Sequence, residues 1–180
     1  MPTLWTIGHS TLDAATFIAR MRDAGLEAIA DVRRYPASRR HPQFAAAALA
    51  HALSEAGIDY HPMPDLGGRR EPHADSINTA WKQPAFRGYA DYMQTGAFIR
   101  ARDRLAAIAS RRPTAMLCAE ADWHDCHRSL IADAFKADGW EVVHLRGSGQ
   151  SETHPYTHAA RIVDGRLVYS LPEPPQGSLF

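Results

Sequence analysis

Cysteine and lysine are scarce in this 180-residue chain, and net charge and long apolar runs are missing altogether. Cys118 and Cys126 are its two cysteines, too few for a multi-disulfide scaffold, so a reducing, cytoplasmic setting is expected. Lys and Arg total 20 against 20 Asp and Glu, which excludes a whole-molecule positive field of the kind that collects nucleic acid. No apolar stretch approaches a transmembrane span. The first residues lack the layout of a signal peptide, so no membrane partner is expected. What remains is an ordinary 45% hydrophobic content and enough length for one sizeable core. The basic residues are almost all arginine, Lys82 and Lys136 being the exceptions. Arginine suits a bidentate grip on phosphate or carboxylate, although solvated arginine is also the normal surface state.

Along the chain, strand-like and helix-like segments alternate. Residues 4–7 read as a buried strand ending at Gly8-His9-Ser10, with Ser10 or Thr11 as the helix cap that follows. Phe17, Ile18, Met21 and Leu26 mark a helix stopping at Gly25, and residues 28–32 form a second strand containing Asp31. This is a βαβ unit with a parallel pair of strands. An Ala-rich helix, a third strand at residues 58–61 and a long irregular stretch at residues 71–84 come next. Residues 86–93 and 98–108 read as two helices, or as one broken near Gly96, and precede a strand that breaks at Cys118. A helix to about Phe135 and a strand at residues 141–145 follow, and Asp164-Gly165 marks a C-terminal β-hairpin. The expected architecture is therefore α/β, a mainly parallel sheet flanked by helices. Residues 1–171 are expected to form one domain and residues 172–180 a flexible Pro-rich tail.

In such a sheet the strand ends open on one edge, where ligands bind. His9, Asp31, Arg33, Cys118, Glu120 and Arg146 all fall at or just after strand ends. Cys118 is either a buried inert thiol or a nucleophile activated by a helix start and Arg128. A phosphatase-type loop needs Cys, five residues, then Arg, and neither cysteine has that spacing. Cys118, His124, Cys126 and His127 are zinc-ligand types, and Cys118-Ala119-Glu120 matches the first half of a zinc deaminase signature. Its Pro-Cys-x-x-Cys half is absent, and no metal or cofactor is assigned. Glu120 and His127 suit acid–base work, or helix capping and solvation. Arg128 lies in a first helical turn, where positive charge is unfavourable, so Asp31, Glu120 or a bound anion should compensate it. Asp31 in an apolar strand also needs a partner, with Arg33, Arg128 or an anion to hand. Gly67-Gly68-Arg69 is a plain turn or an anion cradle.

Thr6-Ile7-Gly8-His9-Ser10, Asp31-Val32-Arg33 with Pro36 and Ser38, Leu66-Gly67-Gly68-Arg69, Tyr89-Ala90-Asp91-Tyr92-Met93 and Cys118-Ala119-Glu120 with Cys126-His127-Arg128 occur in that order. Together they resemble the family called domain of unknown function 488, which implies an α/β fold and a shared polar site but no reaction. The leading expectation is an enzyme, a hydrolase or transferase, acting on a phosphate-bearing small molecule or nucleic acid. Arg33, Gly67, Gly68, Arg69 and Arg128 would bind substrate. Cys118, Glu120, His127, His9 and Asp31 would form the catalytic set. The alternatives are a non-catalytic module reading nucleic acid or a partner through Arg33-Arg34, Arg39-Arg40 and Arg69-Arg70, and a thiol redox or metal-binding protein.

Overall fold

A computed structural model describes residues 1–147 and 149–174. Ser148 of the 146–149 turn and residues 175–180 of the expected Pro-rich tail lie outside the described residues. Five parallel strands come first: β1 (Thr3–Gly8), β2 (Ala28–Asp31), β3 (Asp59–Pro62), β4 (Thr114–Cys118) and β5 (Glu141–Leu145). A short antiparallel strand, β6 (Ser151–Thr153), closes one edge, giving the order β3-β2-β4-β1-β5-β6. A separate hairpin pairs β7 (Arg161–Val163) with β8 (Arg166–Val168). Its turn residues Asp164 and Gly165 both have positive φ, 49° and 74°, as a type I′ turn requires. The architecture is the expected α/β fold.

Two expectations about neighbours change. Strands β1 and β2 are parallel, but β4 lies between them and pairs with both. The cap of the first helix, α1 (Ala14–Asp23), is Asp13, whose Oδ1 accepts from Thr16 N at 2.7 Å; it is neither Ser10 nor Thr11. The other helices are α2 (Ala46–Glu55), α3 (Pro84–Met93), α4 (Gly96–Ala109) and α5 (Arg128–Ala137).

Strand alternation divides the core in two. Ile7, Ile29, Ala115 and Leu117 pack with Phe17, Met21, Leu49 and Leu53 of α1 and α2. Leu4, Ala30, Met116 and Cys118 face the opposite layer with Tyr89, Phe98, Leu105 and Ile131. Thus the helix after β1 covers one face, and the helix after β4, its immediate neighbour, covers the other. The chain diverges there, which opens a crevice at the carboxyl ends of β1, β4 and β2. The same alternation carries Cys118 to the α5 side of that crevice.

Family-motif side chains shape the loop that walls it. Tyr89 and Tyr92 hydroxyls donate to the Leu66 and Asp65 carbonyls, both at 2.6 Å, fixing the 3₁₀ turn Pro64–Leu66. Asp91 accepts from His73 N, Ser76 Oγ and Asn78 Nδ2 at 2.6–2.8 Å. Burial pushes its carboxyl up, but these donors outweigh it and its pKa falls below the ordinary value. The long irregular excursion is therefore tied to α3 by one ionised side chain. No helix among the described residues is long and apolar enough to cross a membrane.

Candidate functional site

The crevice holds a cavity of about 250 Å³ reached from solvent. Its floor is Cys118, Cys126 and His127, its side wall is Phe86 and Tyr89, and Glu120, Arg34 and Arg69 stand at its mouth. Cys118 ends β4, and Cys126 and His127 immediately precede α5, so the loop 119–127 returns the chain to where it left the sheet.

The floor is a compact donor cluster. His127 Nε2 lies 3.0 Å from the Val32 carbonyl, which can only accept, so this nitrogen carries the proton. The other nitrogen, Nδ1, faces both sulfurs, 4.0 Å from Cys118 Sγ and 3.7 Å from Cys126 Sγ. The Cys118 thiol donates to Glu120 Oε2 at 2.9 Å. Its hydrogen bond with Cys126 and its burial both push the Cys118 thiol well up, so sulfur keeps its proton at neutral pH in the free site. Partial desolvation at the cavity mouth raises the Glu120 carboxyl, but hydrogen bonds from Cys118, from its own backbone N–H and from Cys126 prevail, and its pKa is lowered. Glu120 is therefore an ionised base touching a thiol. For His127, burial disfavours the imidazolium, yet Cys118 and the Val32 carbonyl favour it more, and the ring's pKa is raised.

Gly68 is pressed against this ring: a Cβ there would lie 2.9 Å from His127 Nδ1, and one at Gly67 2.4 Å from Arg34 Cβ. The Gly67-Gly68 pair thus serves close approach. The Gly67 N–H is already bonded to the Pro64 carbonyl at 2.9 Å. At the mouth, Arg34 and Arg69 guanidiniums lie 5.4 and 5.6 Å from the Tyr35 ring centroid, and Arg34 Nη1 donates to the Arg69 carbonyl at 2.6 Å. Tyr35 is 60% exposed.

The remaining expected site residues are placed differently. Arg33 is committed to Asp31 through Nε and Nη2 at 2.8 and 2.7 Å, and to the Phe44 carbonyl at 2.7 Å. Tyr60 completes the group, its hydroxyl donating to Asp31 at 2.6 Å. Burial and the adjacent Asp31 push that hydroxyl's pKa up. Asp31 is thereby saturated and orients Arg33, whose Nη1 lies 3.4 Å from His9 Nε2. His9 stacks on Phe44 at 4.2 Å and bonds the Ser10 carbonyl at 2.9 Å. Burial, then Arg33 and His41, keep its pKa low. It lines a second, wide-open cleft of about 560 Å³ with Arg39, Arg40 and His41, which shares Arg33, Tyr35 and Glu120 with the first cavity.

Arg128 is among the most buried large side chains and lines neither hollow. Nη1 and Nη2 donate to the Glu120 and Ala121 carbonyls at 2.7 and 3.0 Å. The charge in the first turn of α5 is met by backbone carbonyls at Nη1 and Nη2, and neither Asp31 nor the Glu120 carboxylate pairs with it; Nε has no protein partner. Arg146 pairs with Glu152 and lines a separate hollow beside β5. Tyr35, Phe86 and Tyr89 were not expected as site members, and Cys126 entered only as a zinc-ligand type and in the thiol redox or metal-binding alternative.

No curated protein and no solved structure matches the chain. The family model described as Domain of unknown function DUF488 matches residues 13–135, more than half of the chain. That span contains every member of the cavity floor, and the protein belongs to the DUF488 family.

Proposed function

We propose that the protein is an enzyme, a hydrolase or transferase, acting on a small phosphate-bearing molecule such as a nucleotide. The observation that carries this reading is the single cavity joining an ionised Glu120 and the Cys118–His127 floor to two guanidiniums, Arg34 and Arg69, at its mouth. Arginine forks suit phosphate oxygens. Phe86 and Tyr89 give the cavity an apolar wall for the rest of the molecule. Glu120 takes the proton from an attacking hydroxyl or water, and His127, held by Val32, is the second group able to move one. Cys118 acts as wall rather than as free thiolate, because its proton is retained.

Calorimetric titration with nucleoside mono-, di- and triphosphates tests the reading. One of them should bind to the wild type, and Arg34→Ala with Arg69→Ala should weaken it at least about tenfold, the loss of one charge-assisted contact. Glu120→Gln should keep binding and lose turnover. Unchanged binding in the double arginine variant would remove the proposal.

One observation favours a second reading. The exposed Tyr35, flanked by Arg34 and Arg69 with Arg39 and Arg40 beyond, has the elements of a stacking platform for single-stranded nucleic acid. Binding through it would weaken steeply with salt, whereas a compact cavity would respond weakly.

A further inference from the structure

We propose that Cys118, Cys126 and His127 form a binding centre for one borderline-soft divalent cation, zinc above all, with a fourth position open to the cavity beside Glu120. This goes beyond the substrate reading and does not rest on it.

The donor atoms Cys118 Sγ, Cys126 Sγ and His127 Nδ1 lie within 4.8 Å of one another. A tetrahedral zinc with bonds of about 2.3 Å to sulfur and about 2.0–2.1 Å to nitrogen separates sulfur from nitrogen by roughly 3.6 Å. The observed sulfur–nitrogen separations are 3.7 and 4.0 Å, so those pairs need contract by only a few tenths of an ångström, and the two sulfurs, within 4.8 Å, must close to roughly 3.8 Å. A half-buried imidazole and two buried thiols could meet for packing alone, so the surroundings decide.

Three features are those of a ligand shell. First, the Val32 carbonyl fixes the proton on Nε2 and leaves the lone pair of Nδ1 aimed between the sulfurs, the usual arrangement behind a metal-bound histidine. Second, the backbone N–H of Arg128 donates to Cys126 Sγ at 3.5 Å at the start of α5, an outer partner of the kind that orients a ligating side chain. Third, all three donor residues line the cavity, where the Glu120 carboxylate already contacts Cys118 Sγ. Three protein ligands with a free position beside a carboxylate is the pattern of a reactive zinc centre rather than a structural one. On binding, the two thiols release their protons and become thiolates, so the site takes up the cation with loss of two protons. Thiolate with imidazole selects zinc over magnesium or calcium, which prefer oxygen.

The test uses untagged full-length protein, reduced and stripped with a chelator, then titrated with Co²⁺ and Zn²⁺. Cobalt should bind at one equivalent, with sulfur-to-cobalt charge-transfer absorption for two thiolates and the visible bands of a four-coordinate ion. Zinc should displace it and protect both thiols from alkylation. Cys118 and Cys126 are the chain's only cysteines, so this readout needs no variant. Cys126→Ser and His127→Ala should each weaken cobalt binding at least about 100-fold, the upper end for disturbing even an outer partner, and Arg34→Ala should leave it unchanged. Absence of the charge-transfer band in the wild type, or free alkylation of both thiols at equimolar zinc, overturns the proposal even if both variants fail to fold. Loss of nucleotide binding with cobalt binding intact would count against the substrate reading alone.

Discussion

Two histidine-centred clusters are buried in this molecule, and they differ in how completely their polar atoms are matched. Below Trp123, His144 bonds Thr6 Oγ1 at 2.7 Å and His154 at 2.8 Å, and His154 continues to Asp133 at 3.0 Å. Asp133 also accepts from Thr157 N, Thr157 Oγ1 and Tyr169 at 2.6–2.9 Å. Thr6, His144, His154 and Asp133 are all essentially sealed from water. The chain of bonds runs from β1 through β5 to α5 and the C-terminal segment, and these four side chains line none of the hollows described above. The Cys118–Cys126–His127 cluster lies on the same face of the sheet and is left with a lone pair, two thiols and a cavity. A closed network specifies packing; an open one of similar composition leaves donor atoms free for something else.

The contrast can be broken most severely at Asp133. Asp133→Ala leaves His154, Thr157 and Tyr169 without their acceptor and should cost roughly 3–5 kcal/mol of folding free energy, read from denaturant midpoints. A loss below about 1 kcal/mol would mean the closed cluster is not structural. In the open cluster, Gly68→Ala drives a methyl group into the His127 ring, which Val32 holds in place. It should cost about 1–3 kcal/mol, the range for overpacking, and change the reactivity of the two thiols. Wild-type thiol reactivity in that variant would show that the ring has room to retreat.

The pH dependence of stability separates the clusters next. Burial, then His154 and Arg128, lower the His144 pKa to about 2, and His9 is lowered as well. The unfolded rings protonate below about pH 6.5 while the folded ones stay neutral, so the unfolded chain binds more protons and stability falls as pH falls. Each such proton contributes up to about 1.4 kcal/mol per pH unit. His127 is shifted upward, so its contribution is complete below pH 6.5 and lost only as pH rises through its folded value. Denaturant midpoints should therefore drop between pH 6.5 and 5, and a flat profile would contradict the neutral His144. The smallest effect is expected at Glu120, whose side chain is exposed. Glu120→Gln should change stability by less than about 0.5 kcal/mol, and a larger loss in thermal melting would give this carboxylate a structural role.

The sheet, the helices and the hairpin were legible because apolar spacing and Asp164-Gly165 report local geometry. The place of β4 was not, since consecutive strands suggest direct pairing and only long-range packing inserts a third. Strand β6 escaped because three residues in a polar, His-rich segment carry no alternation. At the site, Cys118, Glu120 and His127 were readable from their position after an apolar run. Arg128 was readable as an anomaly but not as an answer: its partners are backbone carbonyls, which have no signature in a sequence. The Gly67-Gly68 pair read as a plain turn or an anion cradle, and neither reading foresees an imidazole where the Gly68 side chain would be.

The grip of Arg128 on the Glu120 and Ala121 carbonyls also decides how the loop after β4 can behave. A side chain added at Gly8 would collide with the same Glu120 carbonyl, so the end of β1 braces the segment from the other side. The carboxylate is thus mounted on an anvil rather than a hinge. In the proposed reaction a molecule entering the crevice would meet a base already aimed, and whatever adjustment its capture demands would fall to the guest and to the arginines at the door.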